Sequence, residues 1–179
     1  SEVTKRDLIS MLNVPESKIT VQPHGAGEQY HPMTFAETEP IRAALEIPRG
    51  YILHVGTWEP RKNIIGLLKA YRLLLDALPD VPPVLLVGRR GWLFEESLAG
   101  INALGINDHI IWRENVTDEQ LPAVYNMASA LVSPSFYEGF GMPALEAMAC
   151  GIVPIVSNRS SLPEVVGNVG LLINPDEPE

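Results

Sequence analysis

An open, doubly wound parallel α/β sheet is the fold this sequence predicts, and three observations carry the prediction. Apolar, β-rich runs bounded by turn residues recur along most of the chain. Most of these runs are continuous rather than alternating, the pattern of strands buried on both faces. Segments with helical spacing separate them, so strand and helix alternate. A length of 179 residues with 46% hydrophobic content suffices for one such domain with a buried core.

Residues 1–48 read as a connector or hinge from a preceding domain: a short helix at TKRDLISML, a strand at KITVQP (18–23), then the loop PHGAGEQYHPMTF, rich in Gly, Pro and aromatic residues. The Rossmann-like sheet is expected over 49–179. Its strands are YILHVG (51–56), PVLLVG (83–88), HIIWR (109–113), SALVSP (129–134), IVPIVS (152–157) and VGLLIN (169–174). Helical patterns fall between them at 63–78, 92–104, 117–129, 143–150 and 161–167. In the second, Trp92, Leu93, Glu96, Ala99, Gly100 and Ala103 recur at helical spacing; in the third, Thr117 followed by Asp118, Glu119 and Gln120 reads as a capped, acidic start. Right-handed crossovers then give a sheet whose ligand crevice lies beyond the carboxyl ends of its strands. The closing NPDEPE stops where a further αβ unit is expected, so the domain reads as truncated at both ends.

Charge and composition narrow the function. A formal net charge of −9 argues against a general nucleic-acid binder, whose affinity is built from clustered Lys and Arg. His24, His31, His54 and His109 are scattered without short ligand spacing, so no structural zinc site is expected. The lone Cys150, in the apolar run AMACGIV, has no partner for an intrachain disulfide and fits a reducing compartment. No apolar run approaches bilayer length, and SEVTKRDLIS lacks the features of a secretory signal, so a cytoplasmic protein is expected. No G-x-G-x-x-G follows the first strands, which makes a dinucleotide-dependent oxidoreductase remote.

The informative stretch is YEGFGMPALEAMACG, residues 137–151, after the strand SALVSP. Gly139 and Gly141 permit close backbone approach to a ligand, and Pro143 suits the first helical position, where a missing N–H costs nothing. The unpaired N–H groups of Phe140, Gly141 and their neighbours then offer an anion site at a helix end carrying roughly half a positive charge. Glu138 and Glu146 would each repel a phosphate there, by about 1 kcal/mol at 4 Å even in water. Carboxylates accept well from vicinal hydroxyls, so a ligand with sugars on both sides of a diphosphate resolves the conflict. A nucleotide-sugar has that layout, with Glu138 on one sugar and Glu146 on the other. Glu146 is equally acceptable as an exposed acid in a helix's first turn. Likewise, Arg61 and Lys62 in EPRKN read either as ligand cations or as a solvated pair, the second disfavoured because cations at a helix start oppose its dipole.

The segment PSFYEGFGMPALEAMACGIVPIVSNRSSLPEVVG closely resembles the donor-binding region of the retaining glycosyltransferases of family 4, whose signature is two glutamates separated by seven residues. VGTWEPRKNIIGLLKAY, VTDEQLPAVYNMASALVSPS and VGLLINPDEPE match in the same order, and the similarity covers roughly residues 15–179. It implies the GT-B architecture, two Rossmann-like domains facing a cleft, with this chain as the carboxy-terminal, donor-binding half. By the same resemblance Glu138 contacts hydroxyls of the donor hexose, Glu146 the ribose, and Gly139, Phe140, Gly141 and Met142 supply backbone groups to sugar and diphosphate. Lys62 matches the lysine that binds the diphosphate; with Glu138 it is the candidate catalytic residue, a cation offsetting leaving-group charge. Many relatives place an arginine directly after the glycine of the first strand. Here Gly56 is followed by Thr57, and Arg61 is the candidate replacement. Asn115 and Val116 fall where the base is read by backbone contacts, with Leu121 packing nearby. Arg89 and Arg90, at the ligand edge after PVLLVG, read either as further cations for the ligand or as ordinary surface arginines, and His24, His54 and Tyr137 are expected to be structural.

The resemblance further implies transfer of a hexose, with retention, from a nucleotide-sugar to a saccharide or lipid-linked acceptor in the synthesis of lipopolysaccharide, another cell-surface polysaccharide or a glycolipid. By the same resemblance, the EPRKN variant implies GDP-mannose as donor, with UDP-hexoses next. No metal is expected, since Lys62 and the helix end stand in for a divalent cation. Acceptor-binding groups belong to an amino-terminal domain, and peripheral association with the inner face of a membrane belongs to the whole enzyme. Alone, the chain is expected to bind donor weakly and catalyse little. A non-catalytic nucleotide-sugar binding domain and a nucleotide-sugar epimerase of GT-B architecture are the alternatives.

Overall fold

The computed structural model describes residues 1–179 except Trp92 and Leu93. Among the described residues the sheet has six strands, all parallel, in the order β3-β2-β1-β4-β5-β6. They are β1 Tyr51–Val55, β2 Val84–Val87, β3 Ile110–Arg113, β4 Ala128–Ser133, β5 Pro154–Ser157 and β6 Leu171–Ile173; five lie within the segments expected over 49–179, and β4 starts one residue ahead of its segment, at the end of the expected 117–129 helix. Strand order reverses between β1 and β4, so crossovers leave in opposite directions there, the place at which sheets of this kind bind ligands beyond their carboxyl ends.

Helices cover both faces, which is why the strands are apolar on both sides. On one face, α3 (Ile64–Ala77) and α4 (Phe94–Leu104) bury Leu68, Tyr71 and Ile101 against Val84 and Leu86. The other face carries α5 (Leu121–Asn126), α6 (Met142–Ala149) and α7 (Leu162–Val166), whose Val124, Ala147 and Leu162 pack with Leu53, Leu85 and Leu131. The expected start of α4 at Trp92 and Leu93, and the side chain of Glu96, lie outside the described residues.

The first 48 residues depart from expectation twice. A helix, α1 (Glu2–Leu12), stands where TKRDLISML predicts one. KITVQP, however, joins no strand: Lys18 closes a 3-10 turn, Ile19 is extended, and residues 19–23 carry no regular structure and lie outside the sheet. β-propensity needs a neighbouring ladder to become a strand, and none is beside this segment. The second departure is α2 (Phe35–Leu45), which follows the expected loop where the sequence reading assigned no element. It begins with a capping box: the Glu37 carboxylate accepts from the Thr34 N–H at 2.7 Å while Thr34 Oγ1 accepts from the Glu37 N–H. Pro40 lies inside this helix. α2 packs against α5, and Ile41, Leu45 and Ile47 join the core on that face.

Two helix starts also shift. The Thr117–Gln120 segment forms a turn rather than helix, Gln120 Oε1 accepting from the Thr117 N–H, and α5 begins at Leu121. α6 begins at Met142, so Pro143 holds its second position. The cost is equally small there, because the first helical turn has no intrahelical acceptors for its N–H groups.

Candidate functional site

The carboxyl ends of β1 and β4 gather most of the expected site residues, and the local backbone explains how they approach. Gly56 ends β1 with φ +154°, its N–H bonded to Val87 O at 2.9 Å. A Cβ at Gly56 would stand 3.1 Å from Lys62 Cε and 3.3 Å from Nζ. Glycine therefore leaves the room in which the lysine side chain lies. Gly88 plays the matching part at the end of β2, where a Cβ would lie 2.0 Å from Gly56 O. A 3-10 turn over Pro60–Lys62 follows, and Asn63, at φ 53°, caps α3 by accepting from the Gly66 N–H at 3.2 Å. The Asn63 Nδ2 donates to Pro134 O and Pro175 O at 3.2 and 2.8 Å, and the Phe136 N–H donates to Arg61 O at 2.8 Å. These bonds stitch the EPRKN turn to the loop after β4.

That loop places Glu138 against both cations. Lys62 Nζ is 2.7 Å from Glu138 Oε1, and Arg61 Nη1 is 2.9 Å from Oε2. Ser135 Oγ donates to the same Oε1 at 2.8 Å. Lys62 and Glu138 are both buried, whereas Arg61 is exposed and shared with Glu59. Burial alone would raise the Glu138 carboxyl, but Lys62, Ser135 and Arg61 together hold it below the ordinary carboxylate range. Two serines fix the backbone around it: the Glu138 N–H donates to Ser160 Oγ, and Ser161 Oγ donates to Glu138 O and Phe140 O.

Glu146 sits in a contrasting environment. It lies in α6, one turn past the glycine turn, half-buried, with Tyr125 OH donating to its Oε2 at 2.7 Å. Among the described residues no Lys or Arg forms an ion pair with it. Burial raises its pKa and Asp118 adds to the rise, against the opposing phenols of Tyr125 and Tyr30. The two acids eight positions apart thus differ in kind: one is held by cations, the other by the Tyr125 phenol.

Between them, Gly141 adopts φ 110° as the residue before α6, and a Cβ there would stand 2.7 Å from Leu162 Cδ2. Its carbonyl accepts from the Ala144 N–H at 3.0 Å, while among the described residues the N–H groups of Phe140, Gly141 and Met142 meet no protein acceptor. Free amides at a helix start suit an anion. Gly139 O is held by Ser1 Oγ at 2.8 Å and Thr4 Oγ1 at 3.1 Å, and Tyr137 OH donates to Asp7, so α1 lies along this loop. The His24 ring meets Phe140 edge-on at 5.0 Å, which brings the PHGAG segment to the site.

Other expected residues lie farther off. Asn115 is exposed after β3, two strands from β1, and Val116 and Leu121 pack partly buried against the core. Thr57 is partly buried beside Gly56. Arg90 stacks over Trp112 and pairs with Glu114. His54 is fully buried in β1, bonded through Nδ1 to Val132 O at 2.9 Å, and burial lowers its pKa to about 4. Cys150 is buried and its thiol is pushed up to about 11. A cavity of about 750 Å³ lies on the α3 face between Leu67, Tyr71, Val132, Ile155 and the 174–179 tail, and neither glutamate lines it.

Sequence reasoning missed Ser135, Ser160, Ser161, Tyr30 and Tyr125. The serines of SPS and RSS carried no periodic or charge signal, and Tyr125 looked like one more apolar position of its helix. Among the described residues no group of three or more His, Cys, Asp or Glu could hold a metal ion, and no helix is long and apolar enough to cross a membrane.

Comparison with known proteins adds a second line of observation. A family model described as glycosyl transferases group 1 matches residues 37–179. The O-antigen chain mannosyltransferase B of Escherichia coli is 40% identical over 179 residues, covering 99% of this chain and 47% of that protein. The serotype-specific mannosyltransferase WbdA of the same organism is 30% identical, over 99% of this chain and 22% of its own length. The chain therefore spans about half, or less, of the curated relatives it matches. Among solved structures, Anabaena HepE in complex with UDP and glucose superposes with a TM-score of 0.85 at 19% identity, over 99% of this chain and 49% of that one. At that identity the likeness establishes the fold.

Proposed function

The chain belongs to the glycosyl transferases group 1 family, and from that premise we propose that it is the donor-binding half of a retaining glycosyltransferase, transferring mannose from GDP-mannose to a saccharide acceptor in cell-surface polysaccharide synthesis. The observation that carries this reading is the buried Lys62–Glu138 pair beside the free amides of residues 140–142, at the point where strand order reverses. Cation and amides suit a diphosphate, and the flanking carboxylates suit neutral hydroxyls. The names of the two mannosyltransferase relatives support mannose as the transferred sugar.

Each residue has a definite part in this reading. The amides of Phe140, Gly141 and Met142 face the diphosphate, and Lys62 offsets the negative charge that grows on it as the glycosidic bond breaks. Arg61 offers a second cation from the exposed side, in the role left open by Thr57. Glu138 exchanges its contacts with Lys62 and Arg61 for hydroxyls of the hexose. It is a donor contact rather than a nucleophile. Glu146 accepts from the ribose hydroxyls, and Asn115 and Val116 line the path to the base. Neither donor binding nor charge offset calls for a metal. Residues 49–179 form the donor domain, and acceptor recognition and peripheral membrane association belong to the remainder of the parent enzyme.

Calorimetric titration of the chain with GDP-mannose, GDP, guanosine, UDP and UDP-glucose tests the proposal. GDP-mannose and GDP should each bind at least tenfold more tightly than guanosine, about 1.4 kcal/mol or more. Equal affinity for GDP and guanosine, or no binding of any of the five, would sink it.

A further inference from the structure

The environment of Glu146 carries an inference that rests on, and deepens, the donor-site reading above. Tyr125 is fully buried on α5, and its phenol donates to Glu146 Oε2 at 2.7 Å. Tyr30 comes from a different part of the chain, the segment between α1 and α2, and packs edge-on against Tyr125 with ring centroids 5.8 Å apart. Its phenol approaches the same carboxylate. One side chain secures this arrangement: Asn126 Oδ1 accepts from the Met33 N–H at 2.8 Å, and Asn126 Nδ2 donates to His31 O and Pro122 O, each at 2.9 Å. Asn126 thus clips the stretch after Tyr30 onto α5.

We infer that Tyr125 and Tyr30 are positioning residues for Glu146, holding its carboxylate through neutral donors so that its remaining lone pairs stay available to a vicinal diol. A carboxylate has about four acceptor sites, and a bidentate guanidinium would occupy two of them and cancel the charge. Phenols fix the orientation and leave the charge in place. A charged acceptor makes stronger bonds to ribose hydroxyls than a neutralised one. The groups facing Glu146 are consistent with this. Asp118 repels it, the neighbouring Cys150 thiol is kept protonated by burial, and both phenols are held protonated, Tyr30 with its pKa raised to about 12.

The test compares ribo- and 2′-deoxyribonucleotides. GDP, 2′-deoxy-GDP, UDP and 2′-deoxy-UDP are titrated into the wild-type chain, Tyr125→Phe, Tyr30→Phe and the double variant. Wild type should prefer a ribonucleotide by about tenfold, the size expected for charge-assisted bonds. Each phenylalanine should shrink that preference about threefold or more while leaving 2′-deoxy affinity within about twofold, as expected for one lost donor. The pH below which ribonucleotide affinity falls should also move upward in the variants, because each phenol opposes protonation of Glu146. Parallel loss of ribo- and deoxy-affinity, or an unchanged ratio, overturns the positioning role. Tyr30 is only partly buried, so Tyr30→Phe decides the matter if Tyr125→Phe fails to fold. If wild type binds the two sugar types equally, or binds none of the four, the assignment of the ribose contact fails first and the tyrosine role falls with it.

Discussion

Lys62 Nζ lies 2.7 Å from Glu138 Oε1, and both side chains are buried. The donor contact proposed for each residue therefore competes with the other's charge. On the proposed reading, a diphosphate entering beside Lys62 would loosen the lysine's hold on Glu138, and the freed carboxylate would turn to the hexose, linking the two ends of the donor through this ion pair.

Breaking that pair should be costly and repairing it cheap. Glu138→Gln alone is expected to lower stability by about 3–5 kcal/mol, because it leaves the buried Lys62 uncompensated, and Lys62→Met by less, because Glu138 keeps Arg61 and Ser135. The double variant should recover a large part of the loss. Urea denaturation of the four proteins gives the coupling. Additive losses would mean that the two side chains act independently.

Acid should affect the two glutamates in opposite ways. Glu138 titrates lower in the fold than in the unfolded chain, so its contribution is full above the ordinary carboxyl pKa and drains away as pH falls through the folded value. Glu146 titrates higher in the fold, so its charge costs stability above the folded value, and the cost vanishes below the unfolded one. Glu146→Gln should therefore be as stable as wild type or more so at pH 7, yet bind nucleotide about 1–3 kcal/mol more weakly. Glu138→Gln should be less stable at the same pH. Denaturation midpoints between pH 4 and pH 8 check both signs. A Glu146→Gln protein well below wild type at neutrality would contradict the assignment.

Removing Lys62 should also discriminate among ligands. Lys62→Ala is expected to weaken GDP far more than guanosine, since only the former carries the charge the lysine offsets. Adding EDTA to the wild-type titration should change neither affinity. A chelator-sensitive GDP affinity would place a cation in the site.

The glycines make a graded series. Gly56→Ala forces a Cβ toward Lys62 at a φ of +154°, and Gly88→Ala drives one onto Gly56 O, so both should destabilise by about 1–3 kcal/mol. Gly139 has nothing within 4 Å of its Cβ position, and Gly139→Ala should be nearly neutral in thermal melts. Gly56→Ala should in addition weaken GDP binding. An intact GDP affinity in that variant would mean that Lys62 does not need its slot.

Much of this was legible in the sequence because buried parallel strands announce themselves as continuous apolar runs. YILHVG and PVLLVG each contain a strand and SALVSP all but the first residue of one, and their alternation with helices pointed to a doubly wound sheet, whereas the strand order came only with the structure. Glu138, Lys62 and the glycine turn were legible because charge and Gly-Phe-Gly stand out against an apolar background. KITVQP misled because strand propensity says nothing about whether a neighbour exists. The helix α2 was hidden by Pro40, although Thr34 and Glu37 spelled out its capping box. The Lys62–Glu138 contact was invisible for a different reason: 76 residues separate the two, and only the sheet brings the ends of β1 and β4 together.

Asn126 has a practical bearing on protein engineering. Anyone building chimaeras by exchanging sugar-nucleotide modules between enzymes would naturally splice just ahead of β1, at the first residue of the sheet. Such a seam would import a foreign partner for Tyr125 and leave that asparagine clasping the wrong backbone. A junction upstream of Gly27 carries the whole arrangement across intact.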